Sequence, residues 1–211
     1  MRLPTYEDLT VRQFQEIVAI QTSDMEETDK IIQSICTLTG MSEREVEELP
    51  IPTFNQIGYN LAKIFTEELP DSTPKRYLRI NGRLYGVNYN PRNLAFYQYT
   101  DIQAWINAGT IANMHKVVAS LVYPVKKYGF LYFKGKNQVE QHAEISEGVL
   151  DCKYMDVHAI CVFFSLLWSN SIKALASSLA ESEKEMMTKE QRQQMKELLE
   201  AAGDGFITRN K

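Results

Sequence analysis

The residues able to do chemistry in this chain are few and scattered. There are three histidines, His115, His142 and His158, and three cysteines, Cys36, Cys152 and Cys161. His158 and Cys161 stand one helical turn apart, with Cys152 nearby. An imidazole and two thiolates would supply three of the four ligands zinc needs, but the paired-cysteine spacings of structural zinc sites are missing. Small buried side chains are the simpler reading of all three cysteines, and their odd number argues against a disulfide framework. No glycine fingerprint for a dinucleotide and no nucleophile elbow occurs. Gly135-Lys136 has the look of a phosphate loop, but Asn137 stands where the Ser or Thr should be. Acidic runs such as Glu43, Glu45, Glu47 and Glu48 suit helix starts and solvated faces, so no acid–base pair stands out. No catalytic residue, cofactor site or metal site is assigned. A binding, assembly or structural role leads, and the chain is not expected to be an enzyme.

Bulk properties narrow this further. Of 211 residues, 44% are hydrophobic and 24% charged, which suits a globular chain with a real core. The net charge of −4 argues against nucleic acid as the main partner. Lys75, Arg76, Arg79, Arg83 and Arg92 do cluster, and a solvated hairpin surface is the simpler account of them. The longest mostly apolar run, Ile160–Trp168, is about half of a membrane span, so no membrane partner is expected. The N-terminus has no apolar signal region, which predicts a soluble intracellular protein.

The elements that must position these residues are mostly helical. Helices are predicted over 5–22, capped by Thr5 or Asp8; from Thr28 or Asp29 to a stop at Gly40; after the Ser42-x-x-Glu45 capping box, ending at Pro50 and Pro52; and over 54–68, capped by Thr53. Tyr77–Ile80 and Arg83–Val87 flank Asn81-Gly82, the strongest short-range signal for a β-hairpin. Helices resume over 94–108 and 111–122, where Pro124 is the expected stop. Residues 125–144 lack a clear period; Tyr128–Phe133 reads as a short strand or an ordered loop. Ser146 is the expected cap of a short helix. Residues 154–180 form the most apolar helix, read as buried from several sides between 159 and 168.

One stretch occurs twice. Leu9, Gln13, Phe14, Glu16 and Ile17 are answered by Leu94, Gln98, Tyr99, Asp101 and Ile102, an offset of 85 residues. Lys30–Ile35 is answered by Lys116–Leu121 at an offset of 86. Two echoes in one order imply an internal duplication. The expected fold is mostly α: helical unit 1 over 1–69, a β-hairpin connector over 70–90, helical unit 2 over 91–180, and an amphipathic helix and tail over 181–211. Phe14 and Tyr99 are expected in the core; Gln13 and Gln98 need hydrogen-bond partners there. Met187, Met195, Leu198 and Leu199 form a narrow apolar seam on a charged C-terminal helix, and are the candidate partner-binding residues.

The runs Asn93–Gln103, Asn113–Pro124 and Lys127-Tyr128-Gly129, with Leu9–Ile17, Gly40–Leu49 and the pair Phe163-Phe164, resemble the tail assembly chaperones of tailed bacteriophages. The resemblance spans residues 6–180 as a pattern of packing positions. It implies a small, helical, non-enzymatic protein that binds the tape measure protein in the host cytoplasm. There it would keep that long apolar helical chain soluble while tail tube protein assembles around it. Self-association is compatible with this role. The alternative is a structural virion component, a neck, connector or tail-completion subunit held by protein–protein contacts. Phe130-Leu131-Tyr132-Phe133 stands where such chaperones carry a longer polar insertion.

Overall fold

The computed structural model describes residues 7–66, 72–128, 131–134 and 141–182. The seam residues Met187, Met195, Leu198 and Leu199 lie outside them. The described chain is mostly helical with a small antiparallel sheet. In order it runs α1 (Val11–Gln21), α2 (Glu27–Thr39), α3 (Glu43–Glu47), α4 (Ile51–Thr66), β1 (Tyr77–Ile80) and β2 (Arg83–Val87). It continues with α5 (Phe96–Asn107), α6 (Thr110–Leu121), β3 (Val122–Tyr128), β4 (Leu131–Lys134), α7 (His142–Leu150) and α8 (Tyr154–Ser182).

Local chemistry explains many of the boundaries. Asn81 and Gly82 have φ of 48° and 74°, as the tight β1–β2 turn requires. Gly40 takes φ 72° and its N–H caps Cys36 O, ending α2. Ser42 and Glu45 exchange the two bonds of a capping box and open α3. The first helix starts later than expected, because Thr10, not Thr5 or Asp8, caps it through a box with Gln13. The fourth starts earlier: Pro52 does not end a helix but occupies the first turn of α4, where a missing N–H costs nothing. Ser146 is not a cap; it is buried within α7.

The sheet order is β1-β2-β3-β4, all antiparallel. Tyr77 faces Gly86, which faces Tyr123; Tyr85 faces Pro124. Pro124 is therefore a strand residue, and α6 has already ended at Leu121. Its approach to β2 is a long-range pairing that no local period announces.

The main core gathers Leu9, Val11 and Phe14 with Leu78, Ile80, Tyr85 and Val87 of the hairpin, Ile102, Val118, Leu121 and Val149, and Val157, Ile160, Phe164 and Trp168 of α8. A smaller cluster of Ile35, Val46 and Ile57 holds α2, α3 and α4 together. The backbone joins α1 to α8 directly. Val11 N–H donates to Cys152 O at 3.0 Å, and Tyr154 N–H donates to Leu9 O at 2.8 Å. Each bond satisfies a donor in the first turn of a helix that has no partner within that helix.

Two glycines make opposite predictions. A Cβ at Gly148 would lie 2.6 Å from Ile80 Cγ2 and from Asn81 Nδ2, so α7 packs on the hairpin only because that atom is missing. A Cβ at Gly58 in α4 meets Ile31 Cγ2 at an ordinary 3.8 Å. Gly148→Ala should therefore cost about 1–3 kcal/mol through overpacking. Gly58→Ala should add about 0.5–1 kcal/mol by restricting the unfolded chain. Urea denaturation of the two variants checks the signs.

Candidate interaction surface

The repeated glutamines have well-defined partners. Gln98 is buried; its Oε1 accepts from Ala95 N–H at 2.9 Å and its Nε2 donates to Ser120 O at 2.6 Å. Gln13 does the same with Thr10 N–H at 3.1 Å and, at 3.4 Å, with Thr37 O. Each amide thus closes the N-terminus of one helix and a carbonyl in the last turn of the next. The aromatic neighbours diverge. Phe14 is buried and stacks on Tyr154 with centroids 3.8 Å apart. Tyr99 is not a core anchor: it is 39% exposed and lies against Trp168 at 4.8 Å.

The candidate chemical residues are spent on structure. His142 stacks on Trp105, and its Nε2 lies 3.3 Å from Lys116 O and 3.2 Å from Ser120 Oγ. Ser120 is itself buried in α6. His115 Nδ1 lies 3.1 Å from Gln15 Nε2, which also donates to Ile111 O at 2.7 Å. Burial holds His115 and His158 below the usual imidazole range. It pushes the Cys152 thiol up to about 11 and the Cys161 thiol up to about 12. The half-buried Cys36 is also raised, by burial first and by Glu43 second. Among the described residues, no three His, Cys, Asp or Glu side chains are grouped to hold a metal ion.

The apolar surface is more informative. On α8 the core-facing residues are Val157, Ile160, Cys161, Phe164 and Trp168, while Val162, Phe163 and Leu166 point outward, exposed by 45%, 36% and 60%. The sequence expectation of burial from several sides fails here, because these three side chains stay exposed. Spacings of one, three and four residues put the three side chains on one strip. Tyr89 extends the strip: its ring meets Phe163 edge-on at 5.1 Å, and its hydroxyl donates to Lys75 O at 2.8 Å. Ile51 and Tyr59 of α4 and Phe96 of α5 are further exposed apolar residues. A helix that is apolar all round is a signal for a partner as much as for a core, and that signal was present in the sequence. No described helix is long and apolar enough to cross a membrane.

Comparison with protein-family models, with curated proteins and with solved structures finds no match.

Thiol chemistry tests the inert reading of the cysteines. Iodoacetamide at about pH 8 should label Cys36 slowly in the native protein and reach Cys152 and Cys161 only after denaturation. Peptide mass spectrometry reads the order. Fast native labelling of Cys161 would mark a reactive thiol.

Proposed function

We propose that this chain is a non-enzymatic assembly chaperone of phage tail morphogenesis that binds the tape measure protein. The observation that carries the reading is the outward strip of Val162, Phe163 and Leu166 on α8, edged by Tyr89. Burying such a strip against an apolar helix would yield about 1.5–3 kcal/mol per fully covered side chain. A contact of that size is weak alone and becomes effective when a long client offers many similar segments. It also allows release as the tail tube arrives. The resemblance of Leu9–Ile17, Asn93–Gln103 and Asn113–Pro124 to tail assembly chaperones supplies the identity of the client.

The internal duplication belongs to the same proposal. Within the first half α2 packs against α1, α3 and α4; within the second, α6 packs against α5, α7 and α8. Gln13 and Gln98 make matching bonds in the two halves. The β1–β2 hairpin lies between the two halves in sequence, as a duplication with an inserted connector would place it.

Co-expression with the candidate tape measure protein should raise its soluble fraction several-fold. Phe163→Ser with Leu166→Ser should reduce that rescue, and truncation after Ser182, which removes Met187, Met195, Leu198 and Leu199, should weaken it as well. Undiminished rescue by both variants would reject these client contacts. Mass spectrometry that finds the chain at stoichiometric copy number in mature particles would replace the chaperone with a permanent structural subunit.

A further inference from the structure

The helix α1 stands between the two halves of the chain. It packs on α2 of the first half and on α6, α7 and α8 of the second. Part of its contact with α6 is polar. Gln15 of α1 and His115 of α6 are 100 residues apart in sequence, and the Gln15 Nε2 lies 3.1 Å from the His115 Nδ1. The same Nε2 donates to Ile111 O at 2.7 Å, one turn earlier on α6. Ile111 O is a carbonyl and only accepts, so the amide nitrogen, not the amide oxygen, faces α6. Both hydrogens of that nitrogen are used. His115 Nδ1 is then the acceptor, and the neutral ring carries its proton on Nε2.

The ring is partly buried, and the charged and titratable groups that act on it come from three helices. They are Arg12 of α1, Lys116 of α6, and His142 and Glu147 of α7. Glu147 is the one carboxylate among them, and Arg12 already holds it at 2.8 Å. Burial first, and the Lys116 charge second, hold the imidazole below its ordinary range. A proton arriving at Nδ1 meets the N–H of the Gln15 amide. Turning that amide offers the imidazolium an oxygen, but aims the same oxygen at Ile111 O. Neither orientation satisfies both groups once the ring is charged.

We propose that Gln15 and His115 form a proton-sensitive joint between the two halves of the protein: the neutral ring fastens α1 to α6, and protonation loosens them. The folded ring titrates below its value in the unfolded chain. The joint therefore contributes fully above the ordinary imidazole value of about 6.5, and its contribution is lost as pH falls from there towards the folded value. The remaining fastenings of α1 lie towards its N-terminal end: Val11 N–H on Cys152 O, Arg12 on Glu147 and Asp151, and Phe14 on Tyr154. Mild acid thus loosens first the part of α1 that follows Phe14. The proposal does not depend on the tail-assembly reading.

Native-state hydrogen exchange of the α1 amides at about pH 7.5 and about pH 5.5, corrected for the intrinsic pH dependence of exchange, tests it. Opening of α1 from Gln15 onward should be several-fold more frequent at the lower pH. His158 on α8 is also held low by burial, so variants are needed to assign the response. His115→Asn places a side-chain oxygen within reach of the Gln15 amide and cannot be protonated, so it should lose most of the response. Gln15→Met keeps the bulk and removes the donor; it should open more at both pH values and respond little to pH. Long-range nitrogen–proton NMR of the imidazoles should place the His115 proton on Nε2 at about pH 7.5. Equal opening of α1 at both pH values in the parent would overturn the proposal. So would a full response retained in either variant, or a His115 proton found on Nδ1 in the neutral ring.

Discussion

A helix leaves four N–H groups and four carbonyls without partners within the helix, and buried ones must find partners elsewhere. In this protein the helix ends satisfy one another. Gln98 takes the N–H of Ala95 and gives an N–H to Ser120 O, so the start of α5 and the end of α6 close on one side chain. Gln13 does this for α1 and α2, with Thr10 adding the other half of its capping box. Ala95 has no side-chain acceptor to contribute, so Gln98 alone links the two ends. Val11 and Tyr154, the first residues of α1 and α8, lend their N–H groups to carbonyls on each other's side of the junction. Removing such a link leaves buried groups unpaired at about 1–3 kcal/mol each, whereas the bond itself contributes about 1 kcal/mol net.

These fastenings decide how α8 is used. Phe14 stacks on Tyr154 at its beginning and Tyr99 lies on Trp168 four turns later, so both copies of the repeated motif grip the same helix. Val157, Ile160 and Phe164 fill the core between those points. The fold spends one side of α8, and Val162, Phe163 and Leu166 remain on the other. The surface ion pairs add little to this. Arg12 reaches Glu147 at 2.8 Å and Asp151 at 3.2 Å, but all three side chains are well exposed to water, where such pairs contribute a few tenths of a kcal/mol.

Much of this was legible in the sequence wherever a residue acts on its own neighbours. Asn81-Gly82, Gly40 and the Ser42–Glu45 box announced their turn, stop and start, because backbone conformation and first-turn hydrogen bonds are local. The glutamines were legible as a demand for partners, but Ser120 is 22 residues from Gln98 and no spacing names it. Pro124 looked like a helix stop and is a strand residue opposite Tyr85, since sheet pairing overrides a local signal. Tyr99 looked like Phe14 and is partly exposed, because it lies tilted by 33° against the Trp168 ring rather than in a closed pocket. The apolar strip on α8 was visible as composition, but which side the core would take depended on α6 and α1. The basic segment was visible too, but the pairing that sets Tyr77, Gly86 and Tyr123 in one cross-strand row was not.

Buried helix ends hold α8 in place and leave its outward strip exposed. Urea denaturation of Gln98→Leu beside Leu166→Ser tests this directly. Gln98→Leu keeps the volume but leaves Ser120 O and Ala95 N–H unpaired, so it should cost about 2–4 kcal/mol. Leu166→Ser should stay within about 0.5 kcal/mol of the parent, as a surface substitution does. A neutral Gln98→Leu together with a strongly destabilising Leu166→Ser would contradict the account, for it would place the structural burden on the face assigned here to binding.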